Sequence, residues 1–419
     1  MKKTFLWVLV FVLGPVSVFA QGISRDMQFW RPNDKRGVNV FEPTKEDSIE
    51  FEGLRVRIGG HFAQNFQSLS HSNAAGSPPL IELGAGTNLA AANLDIDVAL
   101  ADGIRMSLIT YLSSRRNPET WVMGGYIQFD KLPFFGDPEW FAKYLTLRVG
   151  HMQISYSDAV FRRTNNGNSM WNPFVENYIM DPFTTEVGGE VLFRKDGWIA
   201  MASLTGGEIQ PNVSRTRGKK SFIGKLGYDK QLSEDLRLRI TGSIYATRES
   251  FSNTLYSGDR AGSRYFFVMT PHGSTASGTS SSGRISPQLT DNVTSTVVNP
   301  FVKYKGLEFF GHLESAVGST RAENDNRSWS QFAADLIYRF GVGEKFYVGG
   351  RYNTLNGRPL GFTSDVTIDR VALAGGWFIT KNILAKLEYV NQNYDGYPSG
   401  DILSGGNFNG IMIDAVIGF

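Results

Sequence analysis

Cysteine is absent from the 419-residue sequence. This absence excludes disulfide scaffolds, thiol catalysis and thiolate metal sites, and it is compatible with a protein that works outside the cytosol. An excess of one charge is lacking too, since 42 Lys and Arg stand against 40 Asp and Glu. Proteins that bind nucleic acid usually carry a basic patch and a high pI, so we expect no nucleic-acid partner.

Long hydrophobic runs are lacking after residue 20, so no later segment is predicted to cross a membrane as a helix. The first twenty residues differ. Lys2 and Lys3 precede an apolar run from Phe5 to Val12, and a small residue, Ala20, ends the stretch. This pattern is typical of a secretory signal peptide, so residues 1–20 are predicted to be cleaved off.

Catalytic motifs are also lacking. The sequence shows neither a Gly-x-Ser-x-Gly nucleophile elbow between a strand and a helix nor a phosphate-binding Gly-x-x-x-x-Gly-Lys loop. His312 shares a strand face with Glu308 and Glu314, a spacing that a metal site or proton transfer could use. With no third ligand or nucleophile to assign, we predict a hydrogen-bonded histidine, no enzyme activity, no metal and no cofactor.

What the sequence does contain is alternation of apolar and polar residues with period two. At the C-terminus Ile411, Ile413 and Ile417 share one face, while Met412 and Asp414 share the other. Such a strand has one apolar and one mixed face. Sixteen segments of this kind are predicted as strands: 54–66, 92–101, 104–114, 119–130, 144–154, 185–194, 198–206, 219–231, 236–248, 297–304, 307–317, 329–340, 346–354, 367–379, 383–394 and 408–419.

The connections between these strands alternate between short turns and longer polar links. The longest links are 67–91, 155–184 and 250–296, and link 115–118 is grouped with them only by its place in the order. An even strand number, strands of about ten residues and alternating link lengths are what a transmembrane antiparallel β-barrel requires, because only a closed sheet satisfies every backbone group in lipid. The fold class predicted is therefore all-β, a barrel of 16 strands over residues 53–419.

In these features the chain resembles the 16-stranded general porins of bacterial outer membranes. The resemblance rests on the signal peptide, the strand count, the aromatic terminal Phe419 and the extended third long link, 155–184. It implies short periplasmic turns and long extracellular loops. The polar N-terminal segment 21–52 is predicted to be periplasmic, and its entry into the barrel is the alternative that the sequence leaves open. The resemblance also implies that Phe419 ends a barrel-assembly signal and that the third loop folds into the lumen.

The predicted constriction residues all lie in link 155–184. Those singled out are Tyr156, Asp158, Arg162, Arg163, Trp171, Glu176 and Asp181. Apolar residues in the same link indicate a loop that packs on something, either the inner wall or neighbouring external loops. Carboxylates of this loop facing cationic wall residues would set a transverse field across the channel, a hypothesis that depends on strand register.

The lumen wall is predicted to be mixed in charge, with thirteen cations against ten anions on the face away from lipid. Its arginines are Arg55, Arg57, Arg105, Arg148, Arg194, Arg237, Arg239, Arg339, Arg351 and Arg370. Many of these charges are expected to pair across strands. The small cationic excess indicates at most a mild preference for anions.

The function predicted is a porin that lets small hydrophilic solutes diffuse across the outer membrane of a Gram-negative bacterium. Expected partners are outer-membrane lipid and lipopolysaccharide, the barrel-assembly machinery, the solutes themselves and, by resemblance, two further copies in a homotrimer. Two alternatives stay open. One is a channel specific for a sugar or an anion, and the other is an adhesive or structural surface barrel that binds partners through loops 67–91 and 250–296.

Overall fold

The computed structural model describes residues 26–47, 49–115, 119–207, 209 and 219–419. The predicted signal peptide, residues 1–20, lies outside this part of the chain. So do residues 116–118 of the predicted link 115–118 and most of the predicted link 207–218.

Within the described residues, seventeen strands form one antiparallel sheet. They are β1 (Arg55–Ser72), β2 (Gly86–Thr87), β3 (Ala91–Ala101), β4 (Ile104–Ser113), β5 (Glu119–Phe129), β6 (Leu145–Gln153), β7 (Thr185–Lys195), β8 (Trp198–Thr205), β9 (Ser221–Gln231), β10 (Leu236–Thr247), β11 (Asn292–Tyr304), β12 (Leu307–Ser319), β13 (Arg327–Phe340), β14 (Phe346–Gly357), β15 (Val366–Thr380), β16 (Ile383–Asp395) and β17 (Asn407–Gly418). β2 is a two-residue strand that pairs with β1 inside the first long link. The other sixteen strands close a barrel, because β1 pairs with both β3 and β17.

The sixteen predicted strands are therefore confirmed, most of them to within two residues at each end. Three were predicted too short by three residues or more: β1 continues to Ser72, β11 begins at Asn292 and β14 continues to Gly357. At these ends the hydrogen-bonded ladder continues, with Ser72 paired to Asn407 and Asn292 to Ser319. The residues there are polar on the outer face as well, so the alternation that marks the middle of each strand fades before the ladder ends.

Burial alternates along the strands as a two-faced barrel wall requires. In β17 Met412, Asp414 and Val416 are buried, while Ile411 and Ile413 are exposed. Exposed large apolar residues recur on nearly every strand, so the outer face of the barrel is a hydrocarbon-like surface. Near the short-turn end, the exposed Tyr338, Phe340, Phe346 and Trp377 form a continuous row of stacked rings, with centroids 5.7 to 6.1 Å apart. Such aromatic girdles mark the edge of the lipid-facing band in membrane barrels.

Helical structure is limited to short pieces in the described residues: the 3₁₀ turns Lys35–Gly37, Pro133–Phe135 and Asp158–Phe161, and one α-helix, α1 (Glu139–Tyr144). None of these helices is long and apolar enough to cross a membrane.

Candidate functional site

The third long link, residues 155–184, is called the constriction loop here, and it lies inside the barrel. Nearly all of its residues are buried. Its backbone N–H groups donate to inward-facing side chains of distant strands: Val175 to Glu388 (2.7 Å), Ile179 to Asn353 (2.8 Å) and Met180 to Gln331 (2.9 Å). The loop leaves β6 and is held by β13, β14 and β16, so it crosses the lumen.

A buried charge cluster fixes the start of the loop. Asp158 accepts from Arg239 Nε (2.7 Å), Lys225 Nζ (3.0 Å) and Thr241 Oγ1 (2.8 Å), and both of its carboxylate oxygens are used. The side chains of Asp158, Lys225 and Arg239 are fully enclosed. A buried carboxylate paired in this way is strongly tied to its partners, because removing one partner leaves a charge in the interior. This cluster therefore anchors the loop to β9 and β10.

Four of the other predicted constriction residues make contacts with β12 or within the loop. Tyr156 donates to Glu314 (2.9 Å) on β12, and Arg162 donates to Glu308 (2.5 Å) on the same strand. Arg163 pairs with Asp181 (2.6 Å) within the loop itself. These hydrogen bonds and ion pairs of the loop's own side chains hold the loop in place.

Glu176 and Asp181 face another loop, residues 250–291, called the outer loop here. Asp181 accepts from Arg284 (3.3 Å) and from the backbone N–H of Asp259 (3.1 Å), and Glu176 accepts from the backbone N–H of Arg264. The hypothesis of a transverse field from these carboxylates does not match this arrangement, because both are bound by neighbouring loop groups instead of facing the wall across open water.

The described N-terminal segment, residues 26–47, occupies the short-turn end of the lumen. Asn39 donates to Glu308 (2.6 Å), Asn33 donates to Asp95 (2.8 Å) and Lys45 donates to the carbonyl of Leu145 (2.6 Å). These acceptors belong to three different sectors of the wall, so the segment spans the opening. Its assignment to the periplasmic side stays a prediction, and of the two locations that the sequence left open, the described residues take the one inside the barrel.

The N-terminal segment and the constriction loop also contact each other directly. The guanidinium of Arg31 lies 3.6 Å from the centre of the Trp171 ring, and its NH2 donates to the carbonyl of Phe161 (2.8 Å). A Cβ at Gly37 would overlap the carbonyl of Pro32 and the indole of Trp171, so only glycine fits this approach. Sequence reasoning singled out Trp171 but missed its contact with Arg31, because a polar segment with two prolines has no strand or helix periodicity to mark where it lies.

The predicted wall arginines lie on the inner face, and most are already paired. Buried or half-buried carboxylates accept from them: Asp97 from Arg57, Glu190 from Arg148, Asp229 from Arg237, Glu308 from Arg339, and Asp335 from Arg351. Arg105 lies 3.8 Å from Asp97, and the half-exposed Arg55 pairs with Glu52 near the rim. Arg370 and Arg194 instead donate to backbone carbonyls of Asn177 and Pro43. The wall therefore holds the inserted chain and is not a row of free cations.

Open space remains on one side of the lumen. A cavity of about 190 Å³, called the side cavity here, lies between strands β3 to β6, the constriction loop and the N-terminal segment. Asp95, Arg105 and Arg148 line it from the wall, and Arg31 and Trp171 line it from the inserted chain. A polar cavity much larger than one water, which needs roughly 10–15 Å³, is hydrated.

A metal-binding group is not present among the described residues: no cluster of three or more His, Asp or Glu side chains is arranged to hold an ion. Glu314 Oε2 accepts from Nε2 of His312 at 2.9 Å, and Nδ2 of Asn299 donates to the other ring nitrogen at 3.2 Å. Glu308 bonds to Arg162 and Arg339 instead. His312 therefore belongs to the hydrogen-bonded wall.

Comparison with known proteins places the fold. No protein-family model matches the chain. No curated protein matches it either. Among solved structures, the trimer form of OmpT, an outer membrane protein of Vibrio cholerae, is similar with a TM-score of 0.52 and 11% identity over 88% of this chain and 100% of that one.

Two further structures are similar to the same degree. The anion-selective porin from Comamonas acidovorans has a TM-score of 0.51 and 9% identity over 87% of this chain and 100% of that one. The outer membrane channel DcaP of Acinetobacter baumannii has a TM-score of 0.51 and 10% identity over 88% of this chain and 98% of that one. At these identities the likeness shows the fold, a closed 16-stranded barrel of the outer-membrane porin type.

Proposed function

We propose that this protein is an outer-membrane porin: a hydrated channel for passive diffusion of small hydrophilic solutes. The observation that carries the proposal is a closed barrel with an apolar outer face and a polar interior, in which a loop from the outer end crosses the lumen and leaves a polar cavity beside it. An enzyme needs a reactive group with an assignable partner, and the described interior offers hydrogen-bonded ion pairs instead.

The path for solutes is narrowed from both ends. The constriction loop is tied to β9, β10, β12, β13, β14 and β16, and the N-terminal segment fills the short-turn end. The side cavity, next to β3 to β6, is the part of the lumen that solutes would use. Because most wall charges are internally paired, the channel discriminates weakly between ions, with a mild preference for anions.

In this proposal the protein resides in the outer membrane of a Gram-negative bacterium, in contact with lipid and lipopolysaccharide, after export with a cleaved signal peptide. Phe419, at the end of β17, is the residue we assign to recognition by the barrel-assembly machinery. A homotrimer is supported by the trimer form of the similar Vibrio cholerae protein. Cross-linking in native membranes tests this assembly.

The test of the channel is single-channel recording in a planar lipid bilayer with the purified full chain under a KCl gradient. Stable conductance steps with a small anion-directed reversal potential support the proposal. Absence of steps from barrel whose folding is verified by heat-modifiable gel mobility contradicts it. Deleting part of the constriction loop, residues 165–170, should raise the conductance of a porin. In an adhesive barrel, deletions within loops 67–91 or 250–296 would remove partner binding and leave the conductance unchanged.

A further inference from the structure

The side cavity contains buried polar atoms that no protein group satisfies. Asn168 Oδ1, on the constriction loop, and Gln153 Nε2, at the end of β6, are both buried without a hydrogen-bond partner in the described protein. Both residues line the side cavity. One offers an acceptor from the loop and the other a donor from the wall, so two separate elements present free hydrogen-bonding groups to the same space.

Three further wall residues repeat this pattern. Asp95 Oδ1, Arg105 Nε and His61 Nδ1 are buried and unpartnered, and all three residues line the side cavity. Each of these side chains is more than nine-tenths buried. The cavity therefore presents acceptors and donors side by side. A hydroxyl group both donates and accepts, so a molecule with several hydroxyls satisfies a mixed set of this kind best.

The charges around the cavity favour a neutral occupant. Asp97 is paired with Arg57 at 3.1 Å and lies 3.8 Å from Arg105. Arg148 is paired with Glu190. Ligands with a net charge would have to compete with these contacts, since Asp97, Arg105 and Arg148 already lie close to opposite charges. Asp95 instead accepts from Nδ2 of Asn33 at 2.8 Å.

Arg31, the remaining cation that lines the side cavity, is bound by backbone carbonyl groups and an aromatic ring instead of a carboxylate. Its Nε and NH2 donate to the carbonyl of Gly37 at 3.1 and 2.7 Å, its NH2 also donates to Phe161, and its plane lies over the Trp171 ring. These contacts direct most of its hydrogen-bond capacity toward the protein.

Aromatic rings supply the apolar part of the cavity wall. Trp30, Tyr126, Phe161 and Trp171 all line it. A ring-shaped polyol such as a pyranose has C–H groups on its faces and hydroxyls on its rim, so it matches a cavity in which aromatic faces alternate with hydrogen-bonding side chains. Plain water satisfies the polar atoms but gains nothing from the aromatic wall.

We propose that the side cavity is a binding subsite for a neutral polyhydroxylated solute of monosaccharide size. This inference rests on the proposed function, because it names the solute class for which the channel path is built. Asn168 and Gln153 are the residues that test it, since their unpartnered amide atoms can be removed with little disturbance of the folded chain.

The experiment measures binding of D-glucose to the full chain in detergent by isothermal titration calorimetry, alongside glucose-induced current block in a planar bilayer. Glucose should bind, and the Asn168→Ala and Gln153→Ala variants should each weaken binding by roughly three- to tenfold, as loss of one hydrogen bond does. The matched control is Asn356→Ala, which changes an asparagine whose amide bonds to Val366 and Thr367 outside the cavity and should leave binding unchanged.

Charged analogues of glucose test whether the side cavity prefers a neutral solute. D-glucuronate and D-glucosamine should bind at least severalfold more weakly than glucose. Tighter binding of glucuronate than of glucose, or equal glucose binding by the wild type and both cavity variants, overturns the proposal. Calorimetry does not need an open pore. Glucose binding without conductance would therefore contradict the proposed porin alone, and conductance without binding would contradict the subsite alone.

Discussion

Asp158 and Glu42 bind the same guanidinium group. Arg239 donates from Nε to Asp158 (2.7 Å) and from NH1 to Glu42 (2.8 Å), and its side chain is fully enclosed. Asp158 belongs to the constriction loop and Glu42 to the N-terminal segment. A single wall arginine on β10 therefore holds both inserted parts of the chain, which couples their positions.

This coupling predicts non-additive effects on conductance. We expect Asp158→Asn to release the start of the loop and raise single-channel conductance, and Glu42→Gln to do so to a smaller extent. Groups that share one partner show interaction energies of about 0.5–3 kcal/mol, so the double variant should differ from the sum of the single variants. The test measures the single-channel conductance of the wild type, the two single variants and the double variant. Strictly additive effects would show that the constriction loop and the N-terminal segment move independently.

Breaking this cluster should also lower stability. Removing one partner of a buried pair costs about 3–5 kcal/mol, so Asp158→Asn should reduce the free energy of unfolding by that order in urea titrations of vesicle-folded protein. The matched control is Asp365→Asn, which breaks the half-exposed pair with Arg358. An exposed pair contributes about 0–1 kcal/mol, so a loss as large as that of Asp158→Asn would argue against this reading of the cluster.

The attachment of the loop should survive mild acid. Burial works to raise the pKa of Asp158, but Arg239 and Lys225 outweigh it and hold the pKa below its usual range, and the same two cations lower the pKa of Glu42. A carboxylate with a lowered folded-state pKa contributes stability above its unfolded value, about 4, and loses it as pH falls through the folded value.

Conductance is therefore expected to stay constant between about pH 8 and pH 5 and to rise only below about pH 4. The Asp158→Asn variant, which lacks the titrating group, should show a smaller rise. A large change in loop-dependent conductance near neutral pH in the wild type would mean that other groups control the loop.

The N-terminal segment is expected to limit ion flow. Replacing Arg31, Asn39 and Glu42 together by Ala keeps the length of the segment but removes its contacts with Phe161, Glu308 and Arg239. Single-channel conductance should increase. Glu139→Ala, in an exposed pair with Lys143 on α1, is the control that should leave it unchanged. Equal conductance in the wild type and the triple variant would place the narrowest point elsewhere.

The outer face should reject charge in the lipid band. Leu226 is 70% exposed on β9, whereas its neighbour Lys225 is enclosed in the lumen. Leu226→Arg should destabilise the membrane-inserted barrel by about 2–4 kcal/mol near the bilayer centre. Val342→Arg, in an exposed short turn, should cost little. If both variants lost similarly small amounts of stability, the result would contradict the assignment of the outer face to lipid.

The barrel could be predicted from the sequence because period-two alternation marks strands with two different faces, and because a soluble sandwich has no reason to alternate short and long links. The 155–184 link was recognisable from its length and apolar content. The partners of its charges were not, since Asp158 meets Arg239 only through the closed geometry of distant strands. The path of the N-terminal segment could not be predicted for the same reason, because Asn39 and Glu42 are held by Glu308 and Arg239, which lie far along the chain.

The seam between β1 and β17 bears on how the molecule assembles. His61 pairs with Gly418 and Ser72 with Asn407, so the ring closes by joining its first strand to its last. Contacts between such distant parts of a chain form slowly, and until they form both strands expose unpaired backbone edges. The N-terminal segment, which Asn33 links to the end of β17 through the carbonyl of Phe419, lies at that seam. We therefore expect the seam to close late in folding, and the segment to insert together with its closure.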